Sequence, residues 1–139
     1  MLTALIDYES GNLHSALKAF EKISSENLLG SVTITNDPEI ISNADRLVLP
    51  GDGAFPACKA ALEKSEVFEA LTHAVLAKRR PFLGICVGMQ LMAKKGFEFE
   101  PTNGLNWING QVERIQLDDP SLKRPHMGWN EIAIDYDHA

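Results

Sequence analysis

Short apolar segments alternate with helix-like segments through the first two thirds of the chain, and this alternation restricts the fold most strongly. The strand-like segments are Leu2–Ile6, Ser31–Thr35, Arg46–Leu49 and Pro81–Ile85. The first segment between them carries apolar residues at helical spacing, namely Leu13, Ala16, Leu17, Phe20 and Ile23. Strands that alternate with helices predict an α/β protein with a doubly wound, mostly parallel sheet.

The last third of the chain has a different texture. Trp107–Leu117 and Asn130–Ile134 look like β segments, and they predict antiparallel strands appended to the parallel sheet. From Val87 the apolar pattern predicts a helix that runs to about Lys95. The chain ends soon after its last predicted strand, so we expect a single domain over residues 1–139 that is incomplete at its carboxyl end.

Composition and charge narrow the classes of function. Apolar residues make up 45% of the sequence, which suffices for a core, and the net charge is −6. This acidic balance argues against a nucleic-acid-binding protein. The chain lacks a transmembrane-length apolar run and the features of a signal peptide, so we expect a cytoplasmic protein without membrane contact. It also lacks the Cys/His spacing of a metal site, and we expect neither a metal nor another cofactor.

The segment GICVGMQ, residues 84–90, gives the strongest indication of chemistry. Cys86 lies between a predicted strand and a predicted helix, with Gly84 and Gly88 two residues to either side. The pattern G-x-C-x-G is the cysteine form of a nucleophile elbow, in which a tight turn holds the reactive side chain out. Glycines suit a turn in which backbones approach closely, and a helix amino terminus favours the thiolate. Cys86 is therefore the candidate nucleophile, whereas Cys58, inside a predicted helix, is interpreted as a structural thiol.

The segment PGDGAF, residues 50–55, is the candidate for part of an oxyanion hole. It leaves the preceding predicted strand at the edge of the sheet where ligands of open α/β sheets bind. Glycines on both sides of Asp52 allow the backbone to turn an amide toward a substrate, although a plain β-turn explains the same residues. The amide of Val87, the residue after the cysteine, is the other candidate donor.

Four segments together resemble a known family. GICVGMQ is similar to the nucleophile motif of class I, triad-type glutamine amidotransferases, and this resemblance implies a flavodoxin-like fold. With DYESGNL at residues 7–13, PGDGAF, and PHMGWN at residues 125–130, the resemblance narrows to the glutaminase subunits of imidazole glycerol phosphate synthases in histidine biosynthesis. It extends over essentially all of the chain.

The resemblance implies an activity and a partner. Enzymes of this family use a Cys-His-Glu triad to hydrolyse L-glutamine to glutamate and ammonia through a cysteine thioester. The ammonia passes to a (β/α)8-barrel cyclase subunit, which forms imidazole glycerol phosphate and an aminoimidazole carboxamide ribotide. We therefore expect a heterodimer with this cyclase.

Carried over by position, the resemblance also implies roles for individual residues. Cys86 is the nucleophile that forms the thioester. The oxyanion hole consists of backbone groups of four residues, Gly51, Asp52, Gly53 and Val87. Gln90 and Gly51 bind the glutamine substrate, although an ordinary solvated residue in a first helical turn would look the same as Gln90.

The segment PHMGWN is expected to face the cyclase, because it offers a rigid apolar surface and Trp is a frequent interface anchor. The expected interface residues are Asn12, His126, Met127, Trp129 and Asn130. Two of them have another explanation: Trp129 would also suit packing on its own sheet, and Asn12 would also suit a helix N-cap.

The sequence departs from the family pattern in two places. Asp52 stands where the family more often has an apolar or amide residue, so its carboxylate is expected to point away from the oxyanion. The family's His-Pro-Glu motif does not occur, and His14 and His73 are interpreted as surface or boundary residues. Without its histidine, the nucleophile lacks the acid that protonates leaving ammonia, so we expect this chain to be poorly active or inactive.

Two other functions stay open at this point. The cysteine turn also fits a glutaminase subunit that supplies ammonia to a different synthase, although PHMGWN argues against it. The absent His-Pro-Glu motif also fits a non-catalytic binding module of the same fold, although Cys86 and Gln90 argue that the parent is an enzyme.

Overall fold

The computed structural model describes residues 1–119, 121–125, 128–131 and 133. The elements of this part of the chain are, in order, β1 (Leu2–Ile6), α1 (Leu13–Asn27), β2 (Ser31–Thr35), α2 (Pro38–Asn43), β3 (Arg46–Gly51), α3 (Phe55–Lys64), α4 (Val67–Thr72), a π-helical segment (His73–Ala77), β4 (Phe82–Cys86), α5 (Val87–Gln90), β5 (Ala93–Gly96), β6 (Thr102–Asn103) and β7 (Ile108–Val112). Strand and helix alternate as far as α5, as the sequence predicts.

A four-stranded parallel sheet forms the centre of the fold. Its strand order is β2-β1-β3-β4, and every neighbouring pair is parallel. Parallel neighbours require crossover connections, which the intervening helices provide. This order brings the carboxyl ends of β1, β3 and β4 side by side at one edge of the sheet. Residues 7–12, residues 52–54 and Cys86 therefore meet at that edge.

The centre of the sheet is apolar because helices cover it. Strands β1 and β3 are buried over most of their length. Their largest buried side chains are Leu5, Ile6, Leu47 and Leu49. The helices add Ile41, Phe55, Leu62 and Leu71 to the same core. Each side chain of this size stabilises the fold by about 1.5–3 kcal/mol when fully buried, so the sheet is a firm support for the loops at its edge.

Local capping signals set where the first two helices begin. Asn12 is the N-cap of α1, and its Oδ1 accepts a hydrogen bond from the Ser15 amide at 3.1 Å. Asp37 caps α2 in the same way, because its carboxylate accepts from the Glu39 amide at 2.8 Å. Asn12 therefore acts as a helix N-cap, which is one of the two roles that the sequence allows for it.

The helical region between α3 and β4 changes its type partway. Helix α4 ends at Thr72, and the chain continues as a π-helical segment in which the Lys78 amide donates to the His73 carbonyl at 3.1 Å. Neither this segment nor any other helix within the described residues has the length and apolar character that a membrane crossing requires.

The helix predicted to extend to about Lys95 is wrong beyond its first turn. Helix α5 ends at Gln90, and strand β5 follows. The carbonyl groups that a longer helix would use accept hydrogen bonds from a later segment, residues 104–108. The Leu105 amide, for example, donates to the Leu91 carbonyl at 2.8 Å. A distant segment thus satisfies the backbone groups that the local pattern assigned to a helix.

The later strands form a second sheet instead of an extension of the first. Its order is β6-β5-β7, with β5 antiparallel to β6 and parallel to β7. The strand predicted over Trp107–Leu117 is confirmed for Ile108–Val112 alone. The described residues of Asn130–Ile134 belong to no strand, and the others lie outside the described part of the chain. The α/β class with a parallel sheet is shown, whereas the attachment of the later strands differs from the prediction.

Helix α3 contacts the second sheet where the Phe55 ring, fully buried, packs on Gly96 of β5. A Cβ at Gly96 would lie 2.8 Å from three atoms of that ring, so Gly96→Ala must displace the ring. We expect Gly96→Ala to lower the free energy of unfolding by about 1–3 kcal/mol, as overpacked cores do. Urea unfolding followed by tryptophan fluorescence measures the change.

Gly110→Ala is the matched control for Gly96→Ala. Apart from its chain neighbours, no atom of the described residues lies within 4 Å of the Cβ position at Gly110, so we expect a change below about 0.5 kcal/mol. Equal effects of the two substitutions would contradict the packing of the Phe55 ring on Gly96.

Candidate active site

Cys86 ends β4 in a strained backbone conformation. Its φ is +56° and its ψ is −119°, a combination that residues other than glycine rarely adopt. This single residue turns the chain from strand β4 into helix α5. The Cys86 side chain is exposed, whereas Cys58 is buried. The turn therefore holds one thiol out toward solvent, which is the geometry of a nucleophile elbow.

Close backbone contacts explain the glycines that flank the cysteine. A Cβ at Gly88 would overlap the carbonyl oxygen of Leu49 in β3. A Cβ at Gly84 would lie 2.5 Å from the Cα of Met89, across the turn. A side chain at either position would push backbone against backbone, so the elbow can form only with glycines here.

Helix α5 is shorter than the sequence predicted, and this weakens the expectation that its dipole stabilises a Cys86 thiolate. The helix dipole acts through aligned peptide groups, and α5 has 4 residues where the sequence predicted a helix to about Lys95. The assignment of Cys86 as a nucleophile therefore rests on its exposure and its backbone geometry.

The Cys86 side chain faces a cavity of about 660 Å³. One wall of the cavity contains four predicted site residues, Gly53, Cys86, Val87 and Gln90. The other wall comes from the second sheet and its loops, through Phe97, Glu98, Phe99, Val112, Glu113 and Arg114. Sequence reasoning missed this second wall, because its residues belong to no motif and the segment before it was predicted to be helical.

The loop after β3 lies directly beside the elbow. A Cβ at Gly51 would lie 2.7 Å from the Gly88 amide nitrogen and 2.8 Å from the Tyr8 hydroxyl oxygen. Gly53 has a φ of +115°, a conformation that favours glycine. Glycine is therefore favoured at the two positions of PGDGAF for different reasons: a close backbone approach at Gly51 and a positive φ at Gly53.

Asp52 is held by Ser10 from the loop after β1. The Asp52 amide donates to Ser10 Oγ at 3.1 Å, and Ser10 Oγ donates to the Asp52 carbonyl at 2.9 Å. The Cys58 thiol donates to the same carbonyl at 3.4 Å. The amide that the sequence assigned to the oxyanion hole thus points at Ser10. The Asp52 side chain is exposed and is not part of the cavity lining.

Tyr8 lies beneath this loop and was not found by sequence reasoning. Its side chain is buried, and burial raises the pKa of the Tyr8 phenol to about 12, so the hydroxyl keeps its proton at neutral pH. Ser10 and Cys58 lie close enough to influence this pKa. The hydroxyl nevertheless has no partner of hydrogen-bond geometry among the described residues. The only sequence signal for Tyr8 is its place in DYESGNL.

Among the residues predicted to face a partner, those that the structure describes do not line the cavity. Asn12 caps α1, and His126 and Met127 lie outside the described residues. Trp129 and Asn130 are exposed, and the exposure of Trp129 is 104%. The Trp129 ring therefore does not pack on its own sheet.

Neither histidine within the described residues lines the cavity. His14 lies on α1 and His73 in the π-helical segment, and both are exposed as the sequence predicted. His126 and His138 lie outside the part that the structure describes. In that same part, no group of three or more His, Cys, Asp and Glu side chains is arranged to hold a metal ion.

The chain belongs to the class I glutamine amidotransferases. The family model described as glutamine amidotransferase class-I matches residues 4–138, which is nearly the whole chain. This assignment agrees with the parallel sheet and with the elbow at Cys86.

Individual relatives narrow the similarity further. The chain is 57% identical over 139 residues to the imidazole glycerol phosphate synthase subunit HisH of Ruegeria pomeroyi, and the match covers 99% of this chain and 66% of that protein. It is 55% identical to the subunit HisH of Cereibacter sphaeroides with the same coverage, and 50% identical to that of Caulobacter vibrioides, with 98% and 64% covered. The chain therefore spans about two thirds of the length of these curated relatives.

The different exposure of the two thiols predicts different reactivity. In the folded protein, iodoacetamide should alkylate Cys86 at least about tenfold faster than Cys58, since a buried thiol must first be exposed by local opening. Peptide mass spectrometry at timed intervals measures both rates. In concentrated urea the two rates should converge, and similar rates in the folded protein would contradict the outward placement of Cys86.

Proposed function

We propose that this chain carries the glutamine-hydrolysing site of an imidazole glycerol phosphate synthase, an enzyme of histidine biosynthesis. The observation that carries the proposal is the exposed Cys86 thiol on a strained elbow, facing a cavity that Val87 and Gln90 also line. Family membership supports glutamine hydrolysis, and the similarity to three HisH subunits supports this particular synthase.

The proposed chemistry begins at the Cys86 sulfur. The thiolate attacks the side-chain amide carbon of glutamine and gives a tetrahedral intermediate whose oxygen carries the negative charge. Collapse of the intermediate breaks the carbon–nitrogen bond, and the nitrogen leaves as ammonia after taking up a proton. Water then hydrolyses the thioester to glutamate and regenerates the thiol.

Two backbone amides are the proposed donors to the negatively charged oxygen. The first amide of a helix has no acceptor within its own helix, and in α5 this is the amide of Val87. The Asp52 amide is the second donor, but it must first leave Ser10 Oγ, and the glycines at 51 and 53 give the backbone that freedom. Removing one such donor typically lowers kcat about 10²–10³-fold.

The cavity suits an amino acid as the ligand. Glutamine has an ammonium and a carboxylate at one end, and the cavity lining includes a carboxylate, Glu113, and a guanidinium, Arg114. Gln90, on the same wall as Cys86, is the proposed hydrogen-bonding partner of the substrate, together with the Gly51 backbone. A concave site lined by apolar side chains and a few charged groups is typical of small-molecule binding.

The leaving ammonia requires an acid that the described residues do not supply. His14 and His73 lie outside the cavity lining. We therefore propose that the chain by itself binds glutamine but breaks its carbon–nitrogen bond slowly, so that little thioester forms and glutamate is released slowly or not at all. A non-catalytic binding module would differ by forming no covalent product at Cys86.

The proposal includes a partner and a compartment. The relatives are named as one subunit of a synthase, and the proposed partner is the cyclase subunit, a (β/α)8 barrel that receives ammonia in a heterodimer. The exposed Trp129 is the proposed anchor on this side.

The proposed compartment is the cytoplasm. Its reducing conditions suit the two free thiols, Cys58 and Cys86.

A glutamine-shaped diazo ketone tests the activity proposal. Such a reagent should alkylate Cys86 with a rate that saturates as its concentration rises, because it binds in the cavity before it reacts. L-Glutamine should protect the thiol, whereas D-glutamine should not. Mass spectrometry of the intact chain gives the rates, with Cys86→Ser as the unreactive control. A rate that rises linearly without protection would contradict a glutamine site.

Truncation of Trp129 tests the partner proposal. Trp129→Ala should weaken binding to the cyclase subunit about thirtyfold, because an aromatic anchor commonly contributes about 2 kcal/mol or more. The thermal midpoint of the isolated chain should not change, since the ring is fully exposed. Titration calorimetry and a melting curve give the two quantities.

Trp107→Ala is the matched control for Trp129→Ala. The Trp107 ring meets the Phe82 ring edge to face at a centroid distance of 5.1 Å. Its loss should lower the thermal midpoint and leave affinity for the cyclase nearly unchanged. If Trp129→Ala binds the cyclase subunit with unchanged affinity, this would contradict the placement of the partner surface at Trp129.

A further inference from the structure

We propose that Tyr8 is a positioning residue of the candidate glutaminase site: its buried hydroxyl donates a hydrogen bond to the Gly51 carbonyl once the Asp52 amide has turned from Ser10 toward the reacting oxygen. This inference rests on the proposed function, because it concerns how the second donor to that oxygen is held in place. Tyr8 acts through the backbone of the loop after β3 and takes no part in the bond-breaking steps.

The Tyr8 hydroxyl is a buried donor whose proton is unused in the present conformation. Tyr8 is 2% exposed, and its Oη has no partner of hydrogen-bond geometry among the described residues. Burial raises the pKa of the phenol to about 12, so the group keeps its proton at neutral pH. A buried donor without an acceptor destabilises the conformation that contains it, and it therefore favours any conformation that supplies one.

The hydroxyl lies against the backbone that has to move. A Cβ at Gly51 would lie 2.8 Å from Tyr8 Oη, and on its other side 2.7 Å from the Gly88 amide nitrogen. Gly51 is the last residue of β3, and the peptide that joins it to Asp52 begins the loop. Because Gly51 has no side chain, the hydroxyl is next to the main chain at the start of this peptide.

Rotation of the peptide between Gly51 and Asp52 turns its two polar groups in opposite directions. The Asp52 amide donates to Ser10 Oγ at 3.1 Å, so it points toward the loop after β1. The Gly51 carbonyl of the same planar, trans peptide points the other way. When the amide turns toward Cys86, the carbonyl turns toward the β1 loop, which carries Tyr8 and Ser10. Gly51 is buried, so its carbonyl needs a donor there.

Of the two hydroxyls on the β1 loop, Tyr8 is the one with a proton to offer. Ser10 Oγ has a single proton, which it donates to the Asp52 carbonyl at 2.9 Å. The Cys58 thiol donates to the same carbonyl at 3.4 Å. Within the described residues the Tyr8 proton has no acceptor. Tyr8 therefore supplies the hydrogen bond that stabilises the turned peptide.

Labelling of Cys86 by the glutamine-shaped diazo ketone tests the inference on the whole chain. The reagent has a carbonyl where glutamine has its amide carbonyl, so its reaction uses the same oxyanion donors. Tyr8→Phe should lower the maximal labelling rate about threefold to tenfold, which is the effect of one ordinary hydrogen bond. The concentration at half-saturation should change less than about twofold, because the rest of the cavity is intact. The rate of Cys86 with iodoacetamide should not change, since that reaction does not use these donors.

The thermal midpoint separates this role from a structural one. Tyr8→Phe removes a buried hydroxyl that has no partner, so the midpoint of the chain should stay the same or rise. Thr72→Val is the matched control. Thr72 Oγ1 is likewise buried without a partner among the described residues, but Thr72 ends α4 and is not part of the cavity lining. This substitution should leave every labelling rate as it is.

The possible results distinguish this inference from the proposed function. If Tyr8→Phe keeps its maximal rate while labelling still saturates and L-glutamine still protects, the inference alone is overturned. A lower rate accompanied by a lower midpoint, or an equal loss of rate in Thr72→Val, would also overturn it, because either would show a general effect on the fold. Labelling that does not saturate in the unchanged protein would overturn the proposed function and this inference with it.

Discussion

The contact between the Gly88 backbone and the Leu49 carbonyl is the constraint on which the candidate site depends. It brings the start of α5 against β3, and the chain can reach this position from β4 only through the strained conformation of Cys86. Strain of this kind contributes an unfavourable term of about 1–3 kcal/mol, which the buried strands on either side must offset. The thiol is exposed as a direct consequence.

The same contact places the remaining groups of the site. Because Gly88 lies against β3, the loop after β3 passes beside Cys86, and Gly51 approaches the Gly88 amide. Ser10 then holds the Asp52 peptide from the neighbouring β1 loop, and the second sheet and its loops supply the opposite wall of the cavity. The site is therefore a meeting point of three strand ends and one distant loop.

Residues with local signals were predicted well from the sequence. The alternation from Leu2 to Cys86 predicts the strands and helices of the parallel sheet, because burial imposes a period on each of them. The glycines around Cys86 predict the elbow, because a turn of that kind leaves no room for Cβ atoms. Cys86, Val87, Gln90 and Gly53 do line one cavity, although their proposed roles rest on the family.

Residues whose placement depends on distant contacts were not predicted. The helix after Gln90 is short because residues 104–108 take the carbonyls it would need, and no periodicity contains that information. The Asp52 amide points at Ser10 through a side chain from another loop, which the motif PGDGAF does not reveal.

A crystal structure of the chain after reaction with the glutamine-shaped diazo ketone would test the central claim most directly. We predict a covalent bond to Cys86 Sγ, a Cys86 φ that stays positive, and a ligand carbonyl oxygen within hydrogen-bond distance of the Val87 amide. An adduct on Cys58, or an adduct on Cys86 whose carbonyl oxygen points away from the Val87 amide, would contradict it.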